Sequence, residues 1–384
     1  MSEWKTYRLG DLIEINKNSI NSNYEFDEIE YIDTSSVTEN RFSKLQKLKL
    51  KDAPSRAKRI VNENDIVYST VRPILRHYGI AKNVKPNTVA STGFAVICAK
   101  NINQDFLYYY LTTDEIVLFL NSVAEASTTT FPAFNANLFE NIDVYIPICI
   151  EEQKEIASIL TSLDNKIELN LQMNKTLETM AQAIFKEWFV DFNFPGFDGQ
   201  LVDGLPKGWR VTELGEVSTL IAGGDKPNEF SDYSNGKNTI PIYSNGISDE
   251  GLYGFTNEPR ILDESVTVSA RGTIGFVCLR LKPYLPIVRL ISVIPKSEFL
   301  TAKYLYFELL NKNITGTGTT QQQLTVPDFR RFNILIPDIE TINEFSSIVN
   351  DFYKKIEDNK RQIQSLTQTR DTLLPKLMKG EIKL

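Results

Sequence analysis

The chain has 384 residues, 42% of them hydrophobic and 24% charged, which fits two or three soluble domains with a core in each. No apolar run approaches the ~20 residues of a membrane span and the opening MSEWKTYRLG has no signal-peptide core, so a cytoplasmic protein is expected. With a single histidine, His77, and three scattered cysteines, Cys98, Cys149 and Cys278, neither a His/Cys zinc site nor a disulfide framework is expected, and the net charge of −7 has to be resolved along the sequence.

The first element is a Trp-led stretch, WKTYRLGDL at 4–12. Residues 41–59 then hold eight basic residues and one acid, Asp52, a local patch that matters more for phosphate attraction than the global sum. Read alone, that patch could equally be a solvated basic face. DIVYSTV (65–71) and TGFAVICA (92–99) read as strands, and DFLYYYLTTDEIVLFL (105–120) as helix. A polar Thr-rich loop, EASTTTFPAFN (125–135), leads to a strand that ends in proline, NIDVYIPI (141–148). A long helical stretch starts at 151, and residues 151–204 carry four basic against ten acidic side chains, so most of the negative charge lies there. A turn-rich segment (188–209) follows, with room for the chain to reverse direction.

The same order then repeats. WRVTELGEV opens at 209, SVTVSA (265–270) is strand-like, FLTAKYLYFELLNK (299–312) is helical, and ITGTGTTQQQLT (314–325) is the polar loop. FNILIPD (332–338) is the closing strand, and ETINEFSSIVNDFYKKIEDN (340–359) mirrors EEQKEIASILTSLDNKIELN (151–170). The Trp-led copies are offset by 205 residues and the helical copies by 189, so the first globular unit is longer by 16, an excess expected in its loops. A solenoid is excluded, since its units run to roughly 20–50 residues. The expected organisation is a first globular domain (1–150), a first helix (151–190), a linker (191–208), a second globular domain (209–338) and a second helix (339–384).

Within the helices, Ile156, Leu160, Leu163, Ile167, Asn170, Asn174, Leu177, Ala181 and Ile184 recur at spacings of four and three. The second copy answers with Phe345, Val349, Phe352, Ile356, Asn359, Ile363, Leu366, Arg370 and Leu373. A sustained average of 3.5 marks a coiled-coil seam, and the equivalent Asn170 and Asn359 are polar seam residues that fix register at a cost in stability. The rival reading is a pair of helices that merely cap their own domains. The narrow seam argues instead for mutual pairing. The expected fold is thus α+β: two similar mixed domains separated by two long helices in an antiparallel coiled coil, with approximate two-fold symmetry.

Catalytic signatures are missing. The sequence has no GxxxxGK[ST] loop, HExxH pair, GxSxG elbow, Pro-Pro dipeptide of the amino-methyltransferase kind or Cys-His cluster. A binding subunit without catalysis, cofactor or metal is expected.

Two variable globular units, each running through "IP…E" into a coiled-coil helix, resemble the specificity subunit of type I restriction-modification systems. The resemblance rests on IPICIEEQKEIASILTSLDNKIE (146–168), IPDIETINEFSSIVNDFYKKIE (336–357), WKTYRLGDL, PKGWRVTELGEV (206–217) and LLPKLMKGEI (373–382), and covers nearly the whole chain. The second copy departs at Thr341-Ile342-Asn343, where the first has Glu152-Gln153-Lys154. The resemblance implies two target-recognition domains, each reading half of a bipartite double-stranded DNA target, and helices that set the gap between the halves. It also implies docking of two adenine methyltransferase subunits and of restriction motor-nuclease subunits, which would bring methyl donor, ATP and Mg²⁺.

On that reading, Lys47, Arg56, Lys58 and Arg59 are candidates for phosphates, and Arg72 and Arg76 for guanine edges. Ser69 lies in the strand DIVYSTV that precedes these arginines, and Ser127, Thr128 and Thr129 of the polar loop could serve either role. In the second unit Ser269 and Arg271 fall where Ser69 and Arg72 fall, allowing one gap, and Arg289 is a further basic candidate. Thr319, Gln321 and Gln322 lie in the second polar loop, and glutamine suits adenine. The competing function is a coiled-coil scaffold with two adaptor domains and no nucleic-acid binding.

Overall fold

A computed structural model describes residues 3–127, 132–316 and 322–382. The chain divides into two compact units, Met1–Leu171 with Lys360–Leu384, and Gln172–Asn359. Two helices of 40 residues, Ile150–Phe189 and Ile339–Met378, each give one half to each unit.

In the first unit, β1 (Trp4–Arg8) is followed by β2 (Ile13–Ile15), β3 (Glu28–Ile32), β4 (Gln46–Lys49), β5 (Ala57–Ile60), β6 (Ile66–Ser69) and β7 (Tyr78–Ile80). Next come β8 (Thr88–Ser91), β9 (Phe94–Ala99), α1 (Gln104–Leu111), α2 (Asp114–Glu125), β10 (Asp143–Pro147) and α3 (Ile150–Phe189). One sheet runs β2-β9-β6-β7, all antiparallel. Another runs β4-β3-β8-β5, with β3 and β8 parallel, while β1 pairs with β10. The main core gathers Leu9, Tyr68, Ile97, Phe106 and Phe139 with Ile156 and Leu160 of α3 and Leu377 and Met378 near the C-terminus.

The second unit contains β11 (Arg210–Glu213), β12 (Ser218–Ala222), β13 (Ile240–Tyr243), β14 (Leu252–Thr256), β15 (Ser265–Ser269) and β16 (Val277–Arg280). Then follow β17 (Leu285–Pro286), β18 (Leu290–Pro295), α4 (Ala302–Leu310), β19 (Asn333–Ile336) and α5 (Ile339–Met378). Its sheet β12-β18-β15-β16 has the order and senses of β2-β9-β6-β7, and β11 pairs with β19 as β1 does with β10. The second sheet, β14-β13-β17, keeps the parallel pair but has one strand fewer. The extra length of the first unit is therefore not all loop. Thirty-three residues separate β3 from β6 but 21 separate β13 from β15, and among the described residues β5 has no counterpart.

The duplicated Trp-x₄-Leu-Gly start has a physical reason in each copy. Leu9 and Leu214 are fully buried. Gly10 and Gly215 let the backbone approach closely, since a Cβ there would come within 3.0 Å of Glu140 or 3.1 Å of Arg330. The indole of Trp4 donates to Glu152 at 3.2 Å, and that of Trp209 to Asp338 at 3.1 Å. Each unit thus ties its first strand to the start of its own long helix. The departure at Thr341-Ile342 is compensated locally. Buried Gln153 bonds Pro147 and Asn103 in the first copy, whereas Ile342 is a fully buried core residue and Asp338 caps α5 through Thr341.

The seam residues are all buried or half-buried. In the first unit Asn170 donates to Gln362 at 3.3 Å and Arg370 to Asp164 at 2.9 Å. In the second, Asn359 donates to Asn174 at 2.8 Å, and Phe185 meets Phe345 at 5.8 Å between ring centres. Ascending positions on α3 meet descending ones on α5, so the helix halves are antiparallel within each unit. Among the described residues no helix is long and apolar enough to cross a membrane.

Candidate nucleic-acid interface

The basic segment of the first unit folds as β4 and β5, which places Lys47, Arg56 and Lys58 in solvent. The strand alternation that turns lysines outward also sets them opposite acids in the register, Lys47 opposite Glu30 and Lys49 opposite Glu28, with the Glu30 carboxylate held by Lys85. Arg56 stands 3.4 Å from Asp33, and half-buried Arg59 donates to Ser19 at 3.3 Å. The patch is more nearly balanced than its sequence count suggests.

The end of β6 leads directly into Arg72 and meets the base of the polar loop. Thr70 donates its N–H to Gly93 and accepts from Phe134, which brings the base of the polar loop onto the strand end. The second unit repeats this at β15, where Ala270 donates to Arg289 and accepts from Leu324. The register therefore equates Ser69 with Ser269 and Gly93 with Arg289. It sets Arg271 opposite Val71, one residue short of Arg72.

Some candidates are committed elsewhere. Ser69 is buried, exchanging hydrogen bonds with the backbone of Val71, and buried Ser269 donates to Asn245, so both hydroxyls shape their turns instead of reaching a base. Arg76 was expected at a guanine edge, but it braces its turn: it donates to Asp114 at 2.6 Å and to Tyr78 at 3.2 Å and stands 3.7 Å from Glu39. Ser127 closes the base of its loop by donating to Ala124 at 2.6 Å. Arg72 remains on the surface with a left-handed backbone (φ 47°), and its N–H bonds Pro132 across the loop base. Arg271 is half-buried, while Arg289 and Gln322 are exposed. Thr128, Thr129, Thr319 and Gln321 lie outside the described residues.

Sequence reasoning missed the turns that dock against these strand ends. In the first unit a hairpin carrying left-handed Glu39 and Asn40 bonds the backbone of Arg76 and Tyr78. In the second, the β13–β14 turn carries left-handed Asp249 and Glu250, and Asn245 bonds the Arg271 carbonyl at 2.8 Å. Their sequence signals, Glu-Asn and Asn-Gly…Asp-Glu-Gly, are turn signals, but the docking partners lie far away along the chain. Also missed is a cavity of about 740 Å³ in the first unit, lined by Tyr78, Tyr109, Asp164 and Arg370 among others. Among the described residues no cluster of His, Cys, Asp and Glu could hold a metal ion.

Comparison with known proteins follows the same two-part division. The family model for the type I restriction modification DNA specificity domain matches residues 1–179 and again 206–368. The chain is 28% identical to the specificity subunit of the type I restriction enzyme HindI of Haemophilus influenzae, over the full length of both. It is 29% identical to the MjaIX specificity subunit of Methanocaldococcus jannaschii, covering 85% of this chain and 79% of that one. Among solved structures, the S subunit of a type I restriction-modification system from M. genitalium superposes with a TM-score of 0.62 at 15% identity, covering 98% of this chain and 96% of that one.

Proposed function

The chain belongs to the type I restriction-modification DNA specificity family, matched in both of its repeats, and from that premise we propose that it reads a bipartite DNA target for a methyltransferase and restriction complex. It is a specificity subunit with two recognition domains, the non-catalytic DNA-recognition component of its system. In the finer reading each unit contacts one half of the target from the loop cluster at the ends of β6 or β15. Arg72 and Arg271 are the leading base readers, with Lys47, Arg56, Lys58 and Arg289 on phosphates. The two long helices set the number of base pairs between the halves and dock two methyltransferase subunits, and motor-nuclease subunits complete the restriction assembly. Adenine flipping and methyl transfer belong to the partner.

The observation that carries this reading is the recurrence of one register at both strand ends. An equivalent backbone bond, Phe134 to Thr70 in one unit and Leu324 to Ala270 in the other, ties the polar loop to the strand end, while the described residues beside it differ in sequence. A shared scaffold with divergent tips is what two half-sites of different sequence require. The test is to co-express the chain with the methyltransferase subunit of its system and sequence the methylated DNA. A split motif with a fixed gap is expected. Methylation at a contiguous motif, or none that depends on this chain, would refute the proposal.

A further inference from the structure

The β13–β14 turn of the second unit is held more firmly than a link between two strands requires. Asp249, Glu250 and Gly251 are consecutive left-handed residues, with φ of 47°, 54° and 83°. Two L side chains in that region are costly, and such conformations persist where the surroundings enforce them. Gly251 is required for a second reason, since a Cβ there would lie 2.4 Å from the Ser244 carbonyl oxygen.

The enforcement comes from Arg280, whose side chain is only 3% exposed. Its Nη2 donates to the Glu250 carbonyl at 2.6 Å and its Nε to the Thr267 hydroxyl at 3.0 Å. The guanidinium lies 3.6 Å from the ring centre of Tyr243, and Nη1 stands 3.6 Å from the Glu250 carboxylate. A buried guanidinium is expensive unless its donors are filled. Here two of its partners, Tyr243 and Glu250, are the entry and the exit of this one turn. A second anchor ties the turn to the strand end: the Asn245 amide donates to the Arg271 carbonyl at 2.8 Å, and Ser269 donates to the Asn245 carbonyl at 3.3 Å.

The turn so fixed displays Ile247, which is 57% exposed, together with exposed Ser248 and Asp249. These anchors set the tip at the strand end that carries Arg271, and an acidic side chain there gains nothing from phosphates and can bind a duplex only through donors on base edges. A carboxylate accepts from the cytosine N4 amino group, and an aliphatic side chain packs on the thymine methyl. We propose that residues 244–251 form a base-reading turn of the second unit, with Asp249 accepting from the exocyclic amino group of a cytosine, Ile247 packing on a thymine methyl, and Arg280 as the positioning residue that keeps both in register with Arg271. The inference rests on the reading of the chain as a DNA-recognition subunit.

The test is selection from a random-sequence duplex library by the chain in complex with its methyltransferase subunit. The wild type is expected to select a split motif with a cytosine and a thymine fixed in one half. Asp249→Asn should relax the cytosine by about tenfold, and Ile247→Ala the thymine by a similar factor. Replacing that thymine by deoxyuridine, which lacks the methyl, should weaken the wild type and leave Ile247→Ala unaffected. Arg280→Gln should loosen both positions while the other half of the motif stays fixed, and Arg280→Lys should recover part of the loss. Asp249 and Ile247 are exposed, so their variants should fold whatever happens to the Arg280 ones. If both exposed variants select the wild-type motif unchanged, the turn does not read bases and the inference is overturned. If the wild-type complex selects no split motif, the functional reading fails, and this inference falls with it.

Discussion

In the first unit Arg370 of α5 donates to Asp164 of α3 at 2.9 Å, and the Tyr109 hydroxyl donates to the other oxygen of that carboxylate at 2.7 Å. Burial raises the Tyr109 hydroxyl well above the usual phenol range, so it stays a donor. By the 189-residue offset of the helices, the equivalent positions in the second unit are Tyr353 and Ala181. Aligning the helix caps Asn103 and Thr301 puts Phe307 in the place of Tyr109. There Phe307 meets Tyr353 at 6.4 Å between ring centres, within a cluster that includes Phe185, Phe189 and Phe345. One scaffold holds its helix halves with a hydrogen-bonded ion pair in one unit and with aromatic packing in the other. The seam demands complementary partners and tolerates either chemistry.

The largest expected effect tests the aromatic side. Phe185 is fully buried and lies 5.1 to 5.8 Å, ring centre to ring centre, from Phe189, Tyr304, Phe307 and Phe345. Phe185→Ala should destabilise the second unit by about 3–5 kcal/mol, through lost burial and the cavity left behind. Hydrogen exchange read by mass spectrometry should show faster opening across 209–356 and unchanged protection in β6 and β9. Equal loosening of both units would mean that their cores are one cooperative whole.

The polar side is sharpened by transplanting one chemistry onto the other. Arg370→Ala alone leaves the Asp164 carboxylate of a half-buried seam without its countercharge, held only by the Tyr109 hydroxyl, and should cost about 1–3 kcal/mol, less than a fully buried pair because water reaches the site. Adding Asp164→Tyr and Tyr109→Phe recreates the second unit's arrangement and should recover most of that loss in denaturant unfolding. A triple variant no more stable than Arg370→Ala would show that the two seams are not interchangeable.

A third comparison sets Arg271 against Arg72. Arg271→Ala should lower affinity for one half-site by about 1–3 kcal/mol if a bidentate base contact is lost, and Arg72→Ala should act only on the other. Gel-shift competition with duplexes mutated in either half would separate the two, and an effect of one variant on both halves would break the assignment of one unit to one half-site.

What could be read in the sequence was what repeats or oscillates. The seam from Ile156 to Leu177, its answer from Phe345 to Leu366, and the polar seam residues Asn170 and Asn359 follow from a 3.5-residue period that only paired helices satisfy. The Trp-x₄-Leu-Gly starts stood out because they occur twice. What stayed hidden depends on partners that meet only after folding. Arg76 looked like a free reader because Asp114 is 38 residues away. The Arg280 clamp needs Glu250, 30 residues earlier, and a turn whose left-handed backbone no side-chain pattern announces. The Lys-Leu alternation around Lys47 makes a basic face and equally a paired strand, β4, because alternation serves both.

The smallest effect concerns how the two long helices begin. At Asp338 burial raises the carboxyl, but hydrogen bonds from Thr341 and Trp209 outweigh it and hold the group below the usual carboxylate range. A folded-state value below the unfolded one means that the stabilisation is complete above the unfolded value, near 3.8, and is lost as pH falls through the lower folded value. Asp338→Asn keeps an acceptor for the Thr341 N–H but removes the charge from the helix N-terminus, so it should cost the second unit about 0.5–1 kcal/mol at pH 7. The gap between wild type and variant should narrow only below about pH 4, as the wild-type carboxyl takes up its proton. Urea unfolding of both proteins across pH 2.5–7 reads this directly. A gap that stays constant down to the acid limit would mean that Asp338 acts by shape alone, and that the caps of the two helices differ in sequence but not in their response to charge.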